Sequence, residues 1–194
     1  MLYSIYAEST PNPEVMKFVA NRTLADKSVE INAREDTRGI SIAKALFNFP
    51  FIKSLYISSN FISISKTKAI TWEDIAMQLR VFIADFLNEK GITNYTEHLA
   101  ENEELKTEET VVPKIKFSDK EKEIEAILDQ YIKPAVESDG GAITLESLVG
   151  NTVTVNLKGA CSGCPSATST LKGGIETLLK QKFHPDIEVV SNEA

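Results

Sequence analysis

Apolar and polar positions alternate in two early stretches of the chain, Leu2–Ala7 and Leu55–Ser65, as they do in strands with one buried face. In the second, Leu55 and Ile57 are separated from Phe61, Ile62 and Ile64 by a Ser-Ser-Asn turn signal, which predicts a hairpin. From Thr71 to Asn88 the period changes. Ile75, Leu79, Phe82, Ile83, Phe86 and Leu87 recur at three- and four-residue steps, predicting an amphipathic helix that ends before Gly91. A shorter helix over residues 40–47 stops ahead of Pro50.

The pattern is clearer toward the other end. Ser118 and Glu121 form a capping box, each side chain satisfying a backbone N–H that the first helical turn leaves without a partner. Behind it Ile124, Ile127, Leu128, Tyr131, Ile132, Ala135 and Val136 trace one helical face, with Pro134 expected to bend the last turn. Asp139-Gly140-Gly141 then breaks the helix. Ile143 and Leu145, and later Val153, Val155 and Leu157, alternate with polar residues around Gly150-Asn151, giving two strands. Pro165 falls where a first helical residue is favoured, Leu171, Ile175, Leu178 and Leu179 continue that helix, and Ile187, Val189 and Val190 suggest a last strand. The expected class is α+β, with the later part ordered helix, strand, strand, cysteine loop, helix.

Charge divides the chain. Residues 1–91 balance 11 Lys/Arg against 10 Asp/Glu, whereas residues 117–194 carry 7 against 12. Between them, residues 92–116 hold six Glu, three Lys and few apolar side chains, the composition of a solvated acidic linker. Two small domains, 1–91 and 117–194, are therefore expected, joined by that linker.

The net charge of −7 over 194 residues disfavours a nucleic-acid partner, which calls for a basic face. No run is apolar and long enough for a membrane span. The first basic residue is Lys17, which argues against a secretory or transit peptide on this form of the chain and sets a cytoplasmic expectation, unless a targeting segment has already been removed. Two cysteines are too few for a disulfide framework and suit a reducing compartment.

Those two, Cys161 and Cys164, are the candidate site. The loop Gly159-Ala160-Cys161-Ser162-Gly163-Cys164-Pro165 lies between a predicted strand and a predicted helix. A helix N-terminus favours thiolate over thiol, and thiolate is both the metal ligand and the nucleophile. Metal binding and dithiol redox chemistry both fit. A tetrahedral zinc site or an iron–sulfur cluster usually takes four protein ligands. One chain offers two thiolates, and His98 (in the linker) and His184 (before Pro185) read as solvated histidines. A full shell therefore needs a second chain, a small thiol or another partner, and a symmetric dimer is the simplest source. The alternatives are a zinc-bridged dimer and a dithiol oxidoreductase. For the latter, the motif comes late, with Pro165 after the pair instead of inside it.

The chain resembles the Nfu family, the scaffold and carrier proteins that share the C-terminal domain of NifU. The resemblance rests on Ile132-x-Pro134, Asp139-Gly140-Gly141, the run Lys158–Ser166, and Leu171-Lys172-x-Gly174-Ile175-Glu176. Thr10-Pro11-Asn12-Pro13, Lys17-Phe18, Ala45-Leu46-Phe47, Pro50 and Trp72 are similar to the small domain preceding it in many members. It implies a non-enzymatic carrier holding a [4Fe-4S] cluster between two subunits, with Cys161 and Cys164 as ligands, and delivering it to apo-proteins after loading by an upstream assembly scaffold. A [2Fe-2S] centre would be bridged equally well by two thiolates per subunit.

Other features read as structural. Asp139-Gly140-Gly141 suggests positive φ at a helix exit, and Trp72 belongs to a core. Gly173 and Gly174 cost about 1 kcal/mol each inside a helix, an expense that close approach of another backbone, within the domain or across a dimer, would offset. The first domain has no constellation for catalysis, which leaves a docking or oligomerisation module, and client recognition is the expectation.

Overall fold

The computed structural model describes residues 2–37, 39–91, 118–162 and 165–192, and only the backbone of 165–168. The expected linker lies outside the described residues. The chain forms two compact units, Met1–Pro113 and Lys114–Ala194. Both mix helix and strand, an α+β architecture.

In the first unit, β1 (Ile5–Ser9), β2 (Val15–Ala20), β3 (Ala25–Ile31), β4 (Ile52–Ser59) and β5 (Phe61–Lys66) form one antiparallel sheet ordered β1-β2-β5-β4-β3. The predicted hairpin is β4–β5, and Ser59 takes positive φ at its turn. Two helices follow the predicted spans, α1 (Ser41–Leu46) and α2 (Trp72–Lys90). The core is Phe18, Leu55, Ile57, Ile62 and Ile64 from the sheet against Ile42, Leu46, Leu79, Ile83 and Leu87 from the helices. Each such side chain contributes roughly 1.5–3 kcal/mol by leaving water. Trp72, half-buried, packs its ring edge-on to Phe18 and donates its indole N–H to the Pro13 carbonyl at 3.0 Å.

Two strands carry no clear signal in the sequence. β3 holds Asp26, Lys27 and Glu30 because it is an edge strand, paired to β4 alone, where charged side chains face water. β2 has Lys17 at its centre, its ammonium reaching Glu8 at 3.8 Å and the Phe61 ring at 4.7 Å. β1 begins at Ile5, later than the predicted Leu2.

In the second unit, Ser118 caps α3 (Asp119–Tyr131) as its spacing predicts: Glu121 N–H donates to Ser118 Oγ at 3.3 Å, and Ser118 N–H to Glu121 Oε2 at 2.8 Å. Pro134 does not bend a continuing helix. The backbone breaks at Ile132 (φ −104, ψ −47), and Pro134 sits in the first turn of a new helix, α4 (Lys133–Ser138), where a missing N–H costs little. β6 (Gly141–Val149) and β7 (Thr152–Gly159) pair antiparallel around Gly150 at φ +61. α5 (Pro165–Lys182) then carries the chain back, so that β8 (Glu188–Asn192) pairs parallel to β7. Ile143, Val153, Val155 and Val189 from this sheet meet Ile124, Leu128, Ile175 and Leu179 from the helices. Among the described residues no helix is long and apolar enough to cross a membrane.

Candidate functional site

The site is built at the end of the β6–β7 hairpin farthest from its turn. Gly141 and Gly159 are the last paired residues there. Gly140 leaves α4 at φ +80, and Gly159 leaves β7 at φ +63, conformations that a side chain would strain. Ala160 N–H donates to the Gly140 carbonyl at 3.2 Å, and Ser162 N–H to that of Gly159 at 3.1 Å. These two bonds fold the chain back at the strand end and set Cys161 in the turn between β7 and α5.

Cys161 is not in a disulfide and is 8% exposed, packed into the second core. Cys164 lies outside the described residues. Pro165 opens α5, an 18-residue helix whose N-terminal end bears partial positive charge toward the loop. The nearest charged residues along the chain are Lys158 and Lys172, which leaves the segment between them without a carboxylate.

Gly141 differs from the expectation of positive φ. Of the Gly-Gly pair only Gly140 has it. At position 141 the constraint is space: a Cβ there would stand 2.6 Å from Cys161 Sγ, 2.8 Å from the Lys158 carbonyl oxygen and 3.0 Å from Cys161 N. This contact was not legible in the sequence, since nothing local pairs residue 141 with residue 161.

Among the described residues no three His, Cys, Asp or Glu side chains converge as a metal shell. His184 is exposed, and its Nδ1 accepts the Asp186 N–H at 3.3 Å, a turn contact in keeping with its reading as a surface residue. His98 lies outside the described residues. A methyl group added at Gly173 or Gly174 would meet nothing within 4 Å, so no described residue outside their own helix stands where that group would go. Two glutamates serve sheet edges, a role the sequence did not show. Glu121 Oε1 accepts Leu148 N–H of β6 at 3.1 Å, and Glu176 Oε2 accepts Val189 N–H of β8 at 3.2 Å. Both carboxyls are held below the usual glutamate range, Glu121 chiefly by the Ser118 backbone N–H and Glu176 chiefly by the Lys180 ammonium.

A two-domain α+β protein with a buried cysteine between a strand end and a long helix is the class that fold and site define. Comparison with known proteins narrows it. The family model described as "Scaffold protein Nfu/NifU N terminal" matches residues 5–90, and that of the NifU-like domain matches residues 124–190. The chain belongs to the Nfu family. Proteins named "NFU1 iron-sulfur cluster scaffold homolog, mitochondrial" from Drosophila sechellia and Drosophila willistoni are each 31% identical over 189 residues. These alignments take in 96% of this chain and 63% and 62% of theirs, so the chain spans under two thirds of these curated relatives. A solution structure of a NifU-like protein from Saccharomyces cerevisiae covers 48% of this chain and 87% of its own, at 23% identity and a TM-score of 0.42.

The cytoplasmic expectation is overturned: these relatives are named mitochondrial. Two cysteines outside a disulfide framework imply reducing surroundings, which do not single out the cytoplasm.

Proposed function

We propose that the chain is a scaffold and carrier for iron–sulfur clusters, without catalytic activity of its own, that holds a [4Fe-4S] cargo between two copies through Cys161 and Cys164. The relatives' names supply the cargo class. The observation that carries the reading is Cys161, outside any disulfide, in the turn between β7 and α5 of the domain that the NifU-like family model matches.

Donor chemistry fits. Thiolates are the ordinary ligands of such clusters, usually four of them, and each chain has two cysteines. A second copy completes the shell, and the shared cargo then lies at a subunit boundary. There an apo-protein's thiolates displace the carrier's one by one, sulfur for sulfur, with no change of oxidation state. Loading comes from an upstream assembly scaffold, and the compartment is that of the relatives, the mitochondrion. The first domain recognises the receiving apo-proteins.

The test is anaerobic reconstitution with iron and sulfide. About two iron and two sulfide per chain, absorption near about 400 nm and a loaded species of two chains are expected, and Cys161→Ser or Cys164→Ser should abolish all three. One iron and one sulfide per chain would replace the four-iron cargo with a [2Fe-2S] centre. Full loading of a lone chain without added thiol would overturn the shared site. Colourless protein that retains zinc, or disulfide reduction without metal, would overturn the cargo itself.

A further inference from the structure

The thiol of Cys161 occupies the volume that a side chain at position 141 would fill. A Cβ on Gly141 would lie 2.6 Å from Sγ, a separation that nonbonded atoms do not tolerate. The other two contacts, at 2.8 and 3.0 Å, are to backbone atoms of Lys158 and Cys161, which have no flexible side chain to swing aside. Gly141 has no positive φ, so backbone freedom is not what it supplies. It supplies a notch in β6.

We propose that Gly141 is a positioning residue that gives the Cys161 thiol an inward seat, so that this ligand has two places: stowed in the notch while the chain is empty, and turned outward when it holds cargo. The proposal rests on Cys161 being a ligand, as set out above. In the described state the residue is 8% exposed and packs with the second core. A sulfur shared between two chains has to stand at the surface. Rotation of one side chain out of the notch connects the two places, with the β6–β7 pairing kept. While stowed, the thiol is shielded by bulk from oxidants and alkylating agents, which a thiol awaiting cargo would otherwise meet.

The experiment uses the full-length empty chain, reduced, with iodoacetamide as probe and modification at Cys161 followed by peptide mass. In the folded wild type Cys161 should react at least about tenfold more slowly than in the same chain unfolded in denaturant, because reaction waits on local opening. In Gly141→Ala, with helix and strand content checked by circular dichroism, that protection should be largely lost while the Trp72 fluorescence melt of the first unit stays in place. Wild-type Cys161 reacting as fast folded as unfolded would overturn the proposal, as would full protection in a folded Gly141→Ala. If that variant does not fold, the wild-type ratio decides alone. Protection without cluster binding would sink the function and leave the notch; cluster binding through an unprotected Cys161 would do the reverse.

Discussion

Glu176 of α5 and Val189 of β8 are joined across the second unit: the carboxylate Oε2 accepts the Val189 N–H at 3.2 Å, while Oε1 takes the Lys180 ammonium at 2.7 Å. Glu121 does the equivalent on the opposite edge, for Leu148. Strand edges with open N–H groups invite pairing with other chains, and a carboxylate laid on them discourages it. Both groups titrate below their ordinary value when folded. Protons therefore bind the unfolded chain first as pH falls. The stabilisation is complete above the usual glutamate pKa of about 4.3 and fades as pH drops through the lowered folded values. Urea melts of the second unit between neutral pH and pH about 3 should show that loss. The double variant Glu121→Gln/Glu176→Gln should flatten it, and an unchanged slope would refute the assignment.

Ser118→Ala removes the acceptor for Glu121 N–H and should cost about 1 kcal/mol. Chemical denaturation followed by helix signal would register it. A Ser118→Asp variant, which keeps an acceptor there, should recover most of the loss.

Gly173→Ala and Gly174→Ala should each stabilise the empty chain. Both positions are exposed, with room for a methyl group, so the change brings better helix propensity of up to about 1 kcal/mol. For a unit of this size that is a rise in Tm of about 4–8 °C. Calorimetry on the empty chain is the check, and a fall in Tm would show that the glycines serve a contact within the chain.

Trp72→Phe should destabilise the first unit by about 0.5–1.5 kcal/mol, through loss of the hydrogen bond to the Pro13 carbonyl. The Phe18 contact is retained in kind. Since Trp72 is the chain's single tryptophan, its own emission is lost, and far-ultraviolet dichroism must follow this variant.

Much of this architecture was legible because it is local. The Ser118–Glu121 box, the α2 stripe, the hairpin at Gly150 and the proline that opens α5 each lie within one window of residues whose spacing states the geometry. What escaped was non-local or depended on exposure. β3 hid behind Asp26, Lys27 and Glu30, because an edge strand need not alternate cleanly. Pro134 falls in the expected helical region with a different consequence, since a break at Ile132 and a bend after it leave the same apolar pattern. At the site, spacing and resemblance singled out the cysteine pair as the candidate. The packing of Cys161 against Gly141 was not, because 20 positions of chain separate residues that only the β6–β7 register brings together.

The parallel pairing of β8 with β7 sets an order of events in the cell. The cysteine loop leaves the ribosome before the strand that completes its sheet, because α5 must be made and folded back first. Until Val189 docks beside Val153, the core in which Cys161 packs lacks one of its strands. Metal ions that met the loop during synthesis would find two sulfurs on an unfinished platform. A truncation removing β8 should thus release Cys161 from protection without touching the loop itself.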